Sequence, residues 1–109
     1  MDKDGPVVVL VTAADEAEAY KIADSLLEAR LAACVNTLPD ISSRYWWHGK
    51  LEEAGEVLLI VKSRAALLDA IIKRVKELHS YEVPEIIALP VIGGSGEYLR
   101  WLEGETRPE

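Results

Sequence analysis

A histidine, a tyrosine and two strand-flanking carboxylates fall together in His79-Ser80-Tyr81-Glu82-Val83-Pro84-Glu85-Ile86-Ile87. An imidazole and a phenol can exchange protons or coordinate metal, and carboxylates add hard oxygen donors. Val83 precedes a proline and is pushed toward extended geometry. The spacing therefore predicts a helix ending near His79 and a strand starting near Pro84, with the polar groups held between two rigid elements.

The residues able to bind a softer metal are few: Cys34, His48, His79 and Met1. Without a C-x-x-C or H-x-x-x-H pair, a closed tetrahedral zinc site inside one chain is not expected. A symmetric assembly multiplies each donor, and Cu²⁺ favours imidazole and thiolate over oxygen, so His79 with Cys34 is the candidate metal pair. The plainer alternative has His79, four residues after Val75, ending its helix, and Cys34 packing as a small core residue. A Cys34-dependent hydrolase would further need His79 within hydrogen-bond reach of the thiol.

Other positions suggest a cleft. Lys62 at the end of an apolar strand and Glu85 at the start of another can hold a small anion or pair with each other. Tyr45-Trp46-Trp47 puts large apolar area on both faces of a hairpin, suited to a subunit interface or to stacking. With Tyr81, the residues Tyr45, Trp47, Lys62 and Glu85 are the candidate cleft lining. His48 is expected at an exposed turn. Gly93-Gly94-Ser95-Gly96 lacks the Lys-Ser/Thr of a phosphate-binding loop, and Glu52, Glu53 and Glu56 read as a solvated face.

The elements that must position these groups follow from pattern. Val7 to Val11 is a short β-branched run, apolar on both faces like a central strand. Asp15 with Glu18 three residues on starts a helix through Ala19, Ile22, Ala23, Leu26 and Leu27. Leu31 to Asn36 and Ile41 to Trp47 read as one strand bent at Pro39-Asp40, turning at His48-Gly49 into a long return strand that ends Val57 to Val61. Ser63 is the expected cap of a second helix with Leu67, Leu68, Ile71, Ile72, Val75 and Leu78 inward. Ile86 to Ile92 is a fourth strand, and a short helix carries Tyr98, Leu99, Trp101 and Leu102. Residues 1–5 and 105–109 are expected to fray.

Strand, helix, strand, strand, helix, strand is the ferredoxin-like split βαβ order of an α+β domain. Two main helices cover only one face of such a sheet, yet its central strands are apolar on both. The uncovered face predicts a homo-oligomer.

Composition agrees with a single domain over residues 1–109. The chain is half hydrophobic, and 12 Lys and Arg against 19 Asp and Glu give a net charge of -7. With no basic run, nucleic acid and anionic membranes are not expected partners, whereas cations are attracted. No apolar stretch approaches a membrane span and no signal-peptide pattern opens the chain, and the lone cysteine suits a reducing compartment, so a cytoplasmic location is expected.

Four segments together resemble the CutA family of divalent-cation tolerance proteins: Leu31-Ala32-Ala33-Cys34-Val35-Asn36, Ser43-Arg44-Tyr45-Trp46-Trp47-His48-Gly49-Lys50, His79 to Ile87, and Tyr98-Leu99-Arg100-Trp101. The resemblance spans roughly Val7 to Leu102. It implies a ferredoxin-like domain in a tight trimer, a role in tolerance to copper and other divalent ions, and no known catalytic reaction. The family looks like the PII signalling proteins in architecture, and its animal relatives are associated with anchoring acetylcholinesterase at membranes. Cys34 matches the family cysteine, and His79, Tyr81, Pro84 and Glu85 match the usual H-P-Y-E-V-P-E segment. This chain departs from copper-binding relatives at Ser80 (for proline), Val11 (for cysteine) and Leu78 (for a second histidine), which leaves His79 without named co-ligands. The function expected is a non-enzymatic homotrimer binding Cu²⁺ or a similar cation, with no organic cofactor. The alternative is a PII-like scaffold trimer holding a small metabolite or protein partner in intersubunit clefts.

Overall fold

The computed structural model describes residues 4–107. Its elements are β1 (Pro6–Ala13), α1 (Glu16–Glu28), β2 (Cys34–Trp47), β3 (Lys50–Arg64), α2 (Leu68–Leu78, entered through a 3₁₀ turn at Ala65–Leu67), β4 (Ile86–Pro90) and α3 (Gly96–Glu105). All pairings are antiparallel, and the sheet order is β2-β3-β1-β4. This is the predicted α+β ferredoxin-like arrangement, with the long hairpin and the short C-terminal helix.

Burial separates the two faces of the sheet. Val7, Val9, Val11 and Ala13 of β1 and Val57, Leu59 and Val61 of β3 meet Ala19, Ile22 and Leu26 of α1 and Ile71 and Val75 of α2 in one buried core. The alternate residues form the outer face: Val8, Leu10 and Thr12 beside Lys62, Ile60 and Leu58, then Leu89 and Ile87 on β4. Ile87 and Leu89 are 52% and 50% exposed.

Local chemistry sets the ends and corners. The Asp15 carboxylate caps α1 by accepting from the Glu18 N–H at 2.8 Å. α1 closes with Arg30 N–H to Leu27 C=O (3.1 Å) and Leu31 N–H to Leu26 C=O (2.9 Å), a Schellman motif that places Arg30 at a φ of 60° where glycine is usual. His48 and Gly49, at φ 49° and 76°, form a two-residue turn of type I′ between the paired Trp47 and Lys50. At the predicted Pro39-Asp40 bend the register shifts between Leu38 and Ile41, with Asp40 at φ 59°. Two residues of β2 there oppose Val57 alone. The bulge moves the odd-numbered Ile41, Ser43, Tyr45 and Trp47 onto the outer face that Leu38 occupied.

Two expectations are corrected. Ser63 does not cap a helix: it lies in β3 opposite Val7, fully buried, and its hydroxyl donates to Leu31 C=O at 2.6 Å. Asp4 instead accepts from the Ala66 N–H at 3.2 Å at the start of the 3₁₀ turn. The fourth strand stops at Pro90, where Val91 N–H still reaches Pro6 C=O. Asp4 and Thr106, inside the ends expected to fray, both carry hydrogen bonds. Arg64 bonds to Asp4 and, through Nε and Nη2, to Thr106, whose side chain is buried and donates to Leu102 C=O. Positions 1–3 and 108–109 lie outside the described residues.

Candidate functional site

α2 ends by releasing His79 into extended backbone at φ −83° and ψ 141°. This turns the imidazole back onto the end of β1. Its Nδ1 accepts the Tyr81 N–H at 3.0 Å, so Nε2 carries the hydrogen and donates to Thr12 C=O at 2.7 Å. β4 pairs with β1 only as far as Val11, and the ring supplies the donor that the sheet lacks at Thr12. The side chain is 0% exposed.

Glu18 stands beside it, 3.6 Å from Nδ1. That nitrogen's lone pair is already used, so proximity rather than a direct bond relates the two. The Glu18 carboxylate accepts from the N–H of Ala14 and of Ser80, tying α1 to the loop after α2. Burial opposes its ionisation, but the backbone N–H groups of Ala14 and Ser80 and the Ser80 side chain hold its carboxyl below the usual carboxylate value.

Tyr81 follows on the other side of the ring, at 4.7 Å between centroids. Its hydroxyl donates at 2.8 Å to the carboxylate of Glu56, itself only 7% exposed. Burial first, then the bond to Glu56 and that residue's negative charge, raise the Tyr81 phenol above its ordinary value. Tyr45 and Glu18 add smaller contributions to the shift. The result is a chain of groups, Glu18, His79, Tyr81 and Glu56. No buried side-chain nitrogen or oxygen among the described residues lacks a hydrogen bond.

This arrangement locks a loop, and chemistry at it is constrained. Both His79 nitrogens are engaged, and a metal at either would have to displace the Tyr81 N–H or Thr12 C=O. Cys34 lies elsewhere, opposite Lys62 and beside the Tyr98 phenol of α3, which burial and the adjacent Cys34 hold above its ordinary value. Lys62 is four residues along β3 from Leu58, the partner of Thr12, or roughly 13 Å. One chain therefore does not bring Cys34 and His79 together. Among the described residues no group of three His, Cys, Asp or Glu side chains is placed to hold a metal ion.

The cleft residues divide in the same way. Tyr81 meets Glu56, whereas Tyr45 pairs across the hairpin with Glu52, four residues back along β3. Lys62 sits six residues beyond Glu56 on β3, roughly 20 Å away. Exposed Glu85 precedes β4 at the Thr12 end, so it does not pair with Lys62, and β3 continues past Lys62 to Arg64. Trp47 is near the hairpin tip, edge-on to the His48 ring at 4.6 Å. Glu56 and Glu18 are what sequence reasoning missed. Glu56 shares its strand with the exposed Glu52 and Glu53 and its outer-face register with Glu52, and only Tyr81 sets it apart. Among the described residues no helix is long and apolar enough to cross a membrane.

Comparison with known proteins bears on this fold and loop together. The family model described as CutA1 divalent ion tolerance protein matches residues 7–105. The divalent-cation tolerance protein CutA of Pectobacterium atrosepticum is 48% identical over 101 residues, covering 93% of this chain and 92% of that protein. The chloroplastic Protein CutA 1 of rice is 48% identical over 93% of this chain, which spans only 57% of that longer protein. Among solved structures, the divalent cation tolerance protein (Cut A1) from Thermus thermophilus superposes with a TM-score of 0.92 at 47% identity, over 94% of this chain and 99% of that one. CutA1 from Oryza sativa does so at 0.91 and 46%, over 99% and 100%. The match runs from the second residue of β1 to the last of α3, and on it the chain belongs to the CutA1 divalent ion tolerance protein family.

Proposed function

We propose that the chain acts in divalent-cation tolerance as a non-catalytic homotrimer in the cytoplasm. Cu²⁺ or another divalent cation would be held by donors drawn from more than one copy. The observation that carries this reading is the outer sheet face. Leu10, Leu38, Leu58, Ile60, Ile87 and Leu89 form an apolar surface on the side away from α1 and α2, of a kind that marks an interface. β1 pairs with β3 only up to Val57, so the hairpin beyond it projects as a two-stranded ribbon, and the molecule extends 43 Å in its long direction. Such a ribbon is marginal alone and gains from a second copy against it. The family resemblance supplies the number three.

Donors shared between copies suit the geometry better than His79 acting within one chain, since His79 is closed at both nitrogens. The acidic balance, a net charge of -7, favours cation encounter. Sedimentation velocity of the tag-free protein should give a trimer. Titration with Cu²⁺, followed by heat and by electron paramagnetic resonance, should saturate with nitrogen hyperfine structure. A monomer at micromolar concentration, or no saturable Cu²⁺ heat at neutral pH, would overturn the proposal. His79→Ala run alongside separates a donor role, in which the nitrogen signal is lost, from the loop-locking role.

One observation favours the second reading, a scaffold trimer with a metabolite or protein partner between copies. Tyr45, through its partner Glu52, and Glu56, with Tyr81 bonded to it, share the outer face of β3, and a neighbouring copy would have to bring Lys62 and Glu85 to them. A thermal-shift screen of metabolites that finds no stabilising compound, beside clear metal binding, would set that reading aside.

A further inference from the structure

The helix layer carries a feature that neither metal tolerance nor self-association uses. Where α1 ends, a cleft of about 690 Å³ opens between its last turn and α2. Arg30, Lys73, Arg74 and Arg107 all line it. With Glu28 and Glu77 also in the lining, the cations outnumber the carboxylates that line the cleft, in a chain of net charge -7. Leu31, which is buried, and Ala70 contribute apolar surface, and low-dielectric walls concentrate the field of charges set around them.

A structural explanation accounts for part of this. The C-terminal end of α1 carries roughly half a negative charge and welcomes one cation. Arg30 pairs with Glu105 at 2.6 Å and Arg107 with Glu103 at 3.5 Å, and Glu28 and Glu77 also line the cleft. Lys73, in contrast, makes no ion pair among the described residues. Arg74 spends one Nη1 hydrogen bond on the Ser25 hydroxyl at 2.8 Å, a neutral partner that leaves its charge uncompensated.

Arg30 is the most telling. It occupies the left-handed position that ends α1, at φ 60°. A residue with a Cβ there costs about 1–2 kcal/mol relative to glycine. Its pair with Glu105 is exposed on both sides (57% and 43%), and such pairs contribute about 0–1 kcal/mol. The ion pair alone does not offset the backbone conformation.

We propose that this cleft binds a small multivalent oxyanion, a di- or polyphosphate or a polycarboxylate. Guanidinium forks from Arg30 and Arg74 match the paired oxygens of either group, and Lys73 adds a point charge. The volume suits a ligand of that size. The Glu105 and Glu103 carboxylates are the internal partners that an incoming anion displaces from Arg30 and Arg107. The site lies on the helix layer, opposite the outer sheet face, so it is complete in one chain and does not depend on the metal reading.

The test is calorimetric titration of the full-length, tag-free protein with pyrophosphate and, separately, with citrate, at low and moderate salt. Saturable binding that weakens with salt is expected, and the stronger of the two probes identifies the phosphate or carboxylate source. Lys73→Ala should weaken it about tenfold or more. Arg30→Gly should weaken it similarly while preserving or raising the melting temperature, because glycine suits the left-handed position; a purely structural Arg30 would not give that split. Lys50→Ala, at the exposed hairpin turn away from the cleft, should leave binding unchanged. No saturable heat with either probe, or binding by Lys73→Ala and Arg30→Gly as tight as that of the unsubstituted protein, would overturn the proposal.

Discussion

The two faces of β3 have nearly the same apolar composition and different fates. Val57, Leu59 and Val61 point into the helix layer, and Leu59 and Val61 are fully buried. Leu58 and Ile60, one residue out of phase, remain partly exposed beside Leu10 and Ile87. Hydrophobicity alone does not say which face the helices cover. The turn chemistry and the bulge fix the register, and the register fixes the faces. The inner face holds the single chain together, whereas the outer face is available to a second chain.

Substitutions can break this comparison in order of expected effect. Leu59→Ala empties the inner face and should destabilise the chain by about 2–5 kcal/mol in denaturant unfolding. A loss well under that range would mean that the helix layer collapses onto the gap. Tyr81→Phe removes the hydrogen-bond donor from the buried Glu56 carboxylate. It should cost about 1–3 kcal/mol by the same measurement, and a Tyr81→Phe/Glu56→Gln pair should recover part of it.

Acid unfolding tests the Glu18 bridge. Its folded carboxyl lies below the ordinary 4.5, so its contribution is complete above that value and is lost as pH falls through the lowered one. Glu18→Gln should flatten the stability profile in that acid window and leave its shape above pH 4.5 unchanged. For the raised Tyr81 phenol the sign reverses: its contribution is complete below its ordinary value of 10 and is lost on the alkaline side. On the outer face, Ile87→Lys changes a residue already half exposed, so the isolated chain should shift by about 0.5 kcal/mol or less. Its effect should appear in sedimentation, as loss of the assembly. A variant that stays fully associated would move the interface away from β4.

Much of the scaffold was legible along the chain. The Asp15 cap, the His48-Gly49 turn, the Pro39-Asp40 bulge and the helical spacing of Ile71 and Val75 each depend on neighbours within a few residues. Local sterics and hydrogen bonding decide such features wherever the segment lies. The split βαβ order and the apolar second face followed from those elements.

The tertiary structure decided the site. His79 was singled out by its residue type and flanks, but its acceptor on Thr12 is 67 residues away, and that bond turns a candidate ligand into a lock. Glu56 looks in sequence like Glu52 and Glu53. It is buried because Tyr81, 25 residues on, reaches it across the sheet end. Ser63 left its expected cap for Leu31, 32 residues back, and Arg64 fastens Thr106, 42 residues on, where a frayed end was expected. The basic cleft draws on three helical termini and faces that no local window contains. Sequence determined which segments fold into which elements, because that choice is made by neighbours. Which polar groups meet, and which charges remain open, was decided only when those elements packed, because hydrogen bonds and fields act through space and not along the chain.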